Sequence, residues 1–152
     1  MIRIPTLVAA VTLALVATGE VRADLTKVRA EKSLTRRARM ALDNANAQFD
    51  IASKGYLDKS WVETKAALEE VLESVELALT SLDQTGKKPR NPRDYKNLEI
   101  KTNALLKRLG DFLERMSFDE REQVKGIAER IQRIHDDTLM AVMGEQKAKK
   151  KK

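Results

Sequence analysis

The sequence predicts an all-α protein, and three observations carry that expectation. Aromatic residues make up 4% of the chain and prolines number three, while the strong helix formers Ala, Leu, Lys and Glu are abundant. Tyr95, Leu98, Thr102, Leu105, Leu109, Phe112 and Met116 recur at alternating spacings of three and four, which is one face of an α-helix. Leu106 and Leu113 widen that face from a coiled-coil stripe to the breadth a helix needs inside a bundle. Similar seams elsewhere predict an antiparallel up-and-down four-helix bundle, with helices over 25–54, 60–84, 92–116 and 118–143.

At 152 residues the chain is one domain in size. It has no cysteine, which excludes disulfides, thiolate metal sites, a cysteine nucleophile and a lipidated cysteine. Lys147, Lys149, Lys150, Lys151 and Lys152 supply nearly all of the formal charge of +6, and Arg3, Arg22 and Glu20 supply the rest. The stretch from Asp24 to Gln146 is therefore electroneutral, with a basic tail attached.

Residues 1–23 read as a secretory signal peptide. Arg3 gives the positive start, Ile4 to Ala17 the apolar run, and Val21-Arg22-Ala23 a small-residue cleavage site. The run is shorter than the roughly 20 residues that span a bilayer. An exported protein, periplasmic or extracellular, is expected, with its bundle over 24–144 and a disordered basic tail over 145–152.

In the first helix Leu34, Ala38, Ala41, Leu42, Ala45, Phe49 and Ala52 share one face, with Gly55 expected to close it. That face is mostly alanine, so the helix depends on close approach by its neighbours. Its first turns, through Arg36, Arg37 and Arg39, are expected to project or fray. Ser60 and Glu63 have the spacing of a capping box ahead of the second helix, where Trp61, Leu68, Leu72, Val75, Leu79 and Leu82 follow and Gly86 ends the run. Glu69, Glu70, Glu73 and Glu76 give this helix an acidic outer face.

Lys87-Lys88-Pro89-Arg90-Asn91-Pro92-Arg93 is a basic, proline-rich loop, with Asn91 as N-cap and Pro92 at the first helical position of the third helix. Ser117 and Glu120 form a second capping box, so the third and fourth helices make a tight antiparallel hairpin. Val124, Ile127, Ile131, Ile134 and Thr138 form the fourth seam, with Ala128, His135 and Val142 beside it, and Gly144 is expected to stop the helix. Gly110 and Gly126, at similar heights, predict a close approach of these two helices or a kink.

No catalytic constellation is present. His135 is the sole histidine, and its helical neighbours at three and four positions, Ile131, Gln132, Thr138 and Leu139, offer no metal-ligand set. A ferritin-like di-metal site needs two histidines. No cofactor is expected, and an enzymatic or metal-binding role ranks last. Candidate contacts to an anion or a partner are Lys87, Lys88, Arg90 and Arg93 at the start of the third helix, with Lys147, Lys149, Lys150, Lys151 and Lys152 of the tail. In an up-and-down order both groups lie at one end. The expected function is that of a non-enzymatic envelope protein binding a partner. The alternative is a protein held on anionic lipid or wall polymer by its tail and loop. Nucleic acid is disfavoured, because no basic groove with interleaved aromatics is present.

The first hairpin, with Phe49 leading through Gly55-Tyr56 into a helix containing Ala66 and Ala67, resembles a tetratricopeptide helix pair over about a quarter of the chain. Solenoids of that family need about three such units, and the pattern is not repeated, so the resemblance implies a helical hairpin and no activity.

Overall fold

The structure, a computed structural model, describes residues 20–86 and 92–149, with side chains over 25–86 and 93–143. It is all-α: α1 (Glu20–Ala30), α2 (Leu34–Leu57), α3 (Trp61–Asp83), α4 (Pro92–Glu114) and α5 (Phe118–Lys149), with no strand among the described residues. Every position of the Tyr95 to Met116 seam is buried, and Leu106 and Leu113 are half-buried beside it.

The helix expected over 25–54 is broken in two. Ser33 caps α2 by accepting a hydrogen bond from the Arg36 N–H at 3.4 Å, and its own N–H donates to Glu31 Oε1 at 2.9 Å. Arg37 Nε donates to the Glu31 carbonyl at 2.8 Å, so local side chains satisfy the backbone groups that a helix break frees. The corner folds α1 back and buries its Leu25 and Val28. Glu31 thus ties Arg36 and Arg37 to the corner, and the backbone of these first turns is held there although the Arg36 side chain stays exposed.

α2 and α3 make the most extensive pairing in the molecule. Ala38, Ala41, Ala45 and Ala52 meet a face containing Ala67, Val71, Ser74 and Ala78, and all are buried. Small side chains bring the two backbones together, so the alanine face works through proximity rather than through area per residue. Inside this seam Asn44 Nδ2 donates to Glu70 Oε1 and to Ser74 Oγ, each at 3.0 Å. These groups fix the register, because sliding either helix would leave buried polar atoms unpaired.

The turn between α2 and α3 departs from expectation in two ways. Gly55 lies inside α2, which runs on to Leu57 with Asp58 as its C-cap, and the left-handed position falls on Lys59 at φ 59. A Cβ on Gly55 would stand 3.1 Å from Thr64 Oγ1, so this glycine serves the crossing with α3. Ser60 makes no side-chain cap. Instead its carbonyl accepts from the Thr64 N–H at 3.0 Å and from Thr64 Oγ1 at 2.8 Å.

The second capping box does form: the Ser117 N–H donates to Glu120 Oε2 at 3.2 Å and the Glu120 N–H to Ser117 Oγ at 3.4 Å. Arg121 then reaches back to the carbonyls of Leu113 and Met116 at 3.0 and 3.2 Å, placing a cation at the C-terminus of α4.

The α2–α3 and α4–α5 hairpins stack. Three ion pairs run in step along α2 and α4: Arg39 with Asp94 at 3.2 Å, Asp43 with Lys101, and Asp50 with Arg108. The two helices therefore run in the same direction. Arg108 also lies 4.4 Å from the centre of the Phe49 ring, whose edge-on neighbour is Phe112. Trp61 donates to Gln123 at 3.4 Å and Arg130 pairs with Glu76 at 2.9 Å, linking α3 to α5. α2 and α5 lie diagonally across from each other and meet at the turn end, where Tyr56 reaches Glu120.

Two further expectations fail. A Cβ on Gly110 or Gly126 would meet nothing within 4 Å, and both residues are exposed, so neither marks a close approach within the chain. Gly144 does not stop α5, whose backbone stays helical to Lys149, into the stretch expected as a disordered tail. The expected tail residues Lys150 to Lys152 lie outside the described residues, as does the signal segment up to residue 19.

Candidate functional site

Two apolar clusters divide the molecule lengthwise. One lies towards the α2–α3 and α4–α5 turns, where Tyr56 Oη donates to the Arg115 carbonyl at 3.3 Å and to Glu120 Oε2 at 3.1 Å. The other joins Leu25 and Val28 of α1 to Ala38, Ala41 and Leu42 of α2, Ala78 and Leu82 of α3, Tyr95 and Leu98 of α4, and Val142 of α5. Burying the α1 side chains here brings a basic surface with them. From Thr26 through the corner to Arg39, the bases Lys27, Arg29, Lys32, Arg36, Arg37 and Arg39 outnumber the single acid Glu31, and Arg93 and Lys96 adjoin from the start of α4.

Part of this charge is neutralised. Arg29 pairs with Glu73 at 3.3 Å, Arg36 with Glu31 at 3.3 Å, and Arg39 with Asp94 at 3.2 Å. Lys32, Arg93 and Lys96 are exposed and make no ion pair with another described residue. Exposed pairs contribute little and are screened by salt, so the end keeps an excess of positive charge available to an anionic surface. A small hollow here, lined by Thr35, Arg39, Leu82 and Asp94 among others, holds about 10 Å³, room for about one water molecule. This hollow encloses no space for a ligand larger than that.

Of the basic residues expected to make contacts, Arg93 is placed at this end. Lys147 and Lys149 lie on the last turns of α5, beyond Val142 of the same cluster, but their side chains are outside the description. Lys87, Lys88, Arg90, Lys150, Lys151 and Lys152 lie outside the described residues. The start of the first helix was expected to project, not to fold back as the α1 corner. Its signal was the apolar pair Leu25 and Val28, three apart, just ahead of a cap-competent Ser33.

Beneath the surface, Tyr95 Oη donates to Asp83 Oδ1 at 2.9 Å, tying the start of α4 to the end of α3. Burial first, and then the Asp83 carboxylate, push the phenol up to about 12. His135 is also buried. Its Nδ1 lies 3.0 Å from Asp136 Oδ1, and its Nε2 lies 3.4 Å from Glu99 Oε1 without hydrogen-bond geometry. The imidazole, together with Gln132, which donates to the same carboxylate at 2.8 Å, holds Asp136 below the usual carboxylate range. Glu99 comes from another helix, so local spacing around His135 did not reveal it. No cluster of three or more His, Cys, Asp or Glu suited to a metal ion occurs among the described residues. No described helix is long and apolar enough to cross a membrane.

No family model matches the chain, and no curated protein or solved structure matches it.

Proposed function

We propose that this is a non-enzymatic, exported helical binding module of the cell envelope, which contacts an anionic partner through the end built from α1, the α1–α2 corner and the start of α4. One observation carries the reading: the docking of Leu25 and Val28 sets the basic α1 corner beside Arg93 and Lys96. Export rests on the leader-like residues 1–23, with the mature chain starting at Asp24. The four longer helices act as one unit of alternating direction, a reading supported by the α2–α3 and α4–α5 pairings. In this reading the unit is a four-helix bundle made by stacking the two hairpins, α2 on α4 and α3 on α5.

The second reading makes the lysine tail and the basic loop the anchor, holding the protein on anionic membrane or wall polymer at about 1 kcal/mol per lysine. It is favoured by the position of Lys147 and Lys149 at the far end of α5. Co-sedimentation with anionic and with zwitterionic vesicles, over a range of salt, separates the two. On the first reading, reversing Lys32, Arg93 and Lys96 to Glu weakens binding to the anionic vesicles and flattens its salt dependence, while deleting Lys147 to Lys152 has the smaller effect. The opposite order assigns the function to the tail, and no binding in any case removes both.

A further inference from the structure

We propose that the outer face of the α4–α5 hairpin is the interface of a two-fold homodimer. Beside the seam that α4 buries, Leu106, Gly110 and Leu113 combine with Ala128, Glu129, Gln132 and Arg133 of α5 to line an open groove of about 510 Å³. Three features of this groove fit a second copy of the same chain.

The first is its floor, where Leu106, Leu113 and Ala128 are only half-buried. The second is Gly110, whose exposed place in mid-helix weakens α4 and answers no need inside the chain, since a Cβ there meets nothing within 4 Å. A glycine in such a position does allow the backbone of another helix to come close. The third is charge. Glu129 and Arg133 lie one turn apart on the groove's rim, both exposed, and neither forms an ion pair with another described residue. Arg130 on the same helix, by contrast, is paired with Glu76.

A rim carrying one acid and one base is complementary to itself. An isologous interface requires that property, because whatever a residue contacts must also be contacted in return. With the two-fold axis running across the groove, the two α5 helices lie antiparallel. Glu129 of each copy then faces Arg133 of the other, and the pair forms twice. The basic end stays free on both copies, so the dimer presents two such surfaces.

Sedimentation equilibrium of the purified protein tests this, with a concentration-dependent monomer–dimer equilibrium expected. Gly110→Leu fills the groove and gives a monomer whose Tm is unchanged or higher. Glu129→Arg or Arg133→Glu alone sets like charges opposite each other and raises Kd by about tenfold or more. The double variant E129R/R133E restores the dimer by exchanging the two partners. A wild-type protein that stays monomeric overturns the proposal. So does a dimer indifferent to Gly110→Leu and to the single reversals, or a double reversal that fails to recover what they lose.

Discussion

At the scale of single residues, the contacts that organise the molecule come from side chains whose partners are remote in sequence. Tyr95 was legible as a seam residue, but the identity of its partner, Asp83, depends on how α3 ends. The fold raises this phenol from 10.0 to about 12, so the stability it supplies is fully present below its ordinary value and is lost as pH rises through the folded one. Tyr95→Phe should cost about 1 kcal/mol near neutrality and make stability less steeply dependent on pH between 10 and 12. Thermal melts of both proteins across that window check it, and parallel curves would contradict it. At the other end of the molecule, the Ser117 hydroxyl holds Glu120 below its ordinary value of 4.5. What that box contributes is present above the ordinary value and disappears as acid carries the pH below the folded one.

Buried polar groups show the same limit on reading a sequence. Asn44 and Gln48 read as ordinary helix residues one turn apart, yet both are buried. Only the pairing of α2 with α3 reveals that Asn44 is a hydrogen-bond donor to Glu70. Glu70 had been counted among the acids of an exposed face. A row of four glutamates does not disclose which of them turns inward.

At the scale of elements, periodicity placed α3, α4 and α5 well, because a helix with one apolar face announces that face at its own period. The break between α1 and α2 was missed for a physical reason. Glu31-Lys32-Ser33 contains no glycine or proline, and all three residues are compatible with a helix interior. The corner is held by hydrogen bonds to Glu31 and Ser33, not by a residue that breaks helices. The glycines misled in the opposite sense: Gly55 serves a crossing and Gly110 answers no need within the chain. The importance of α1 is testable at this scale. Leu25→Ala with Val28→Ala removes its buried contacts and should cost about 2–3 kcal/mol, with amide exchange in Leu25 to Ala30 accelerating first. Unchanged melting and exchange would mean that α1 does not dock in solution.

At the scale of the whole molecule, composition indicated an electroneutral body, and this is correct as a sum but conceals a separation. Within that sum the α1 corner sets Lys27, Arg29, Lys32, Arg36, Arg37 and Arg39 apart with the single acid Glu31, whereas near the turns at the other end Asp58, Glu63, Asp119 and Glu122 lie among Lys54, Lys59, Arg115 and Arg121. A chain lacking Lys147 to Lys152 should therefore still be retained on a cation exchanger near neutral pH, more strongly than its formal charge implies. Elution in the unretained fraction would show the end to be neutralised. Sequence could not supply the stacking of α2 on α4 and α3 on α5, because it depends on which helix faces which.

The position of α1 also sets an order of events. Its described helical backbone, Glu20–Ala30, contains Val21-Arg22-Ala23, where the proposed leader would be cut. A peptidase needs that backbone drawn out of its helix, and in the folded protein the bonds would be held within α1. On the exported reading, removal of the leader comes before α1 settles onto the body. On that reading, cutting after Ala23 leaves Leu25 and Val28 on the retained side, so the two side chains that seat the helix stay with the mature chain.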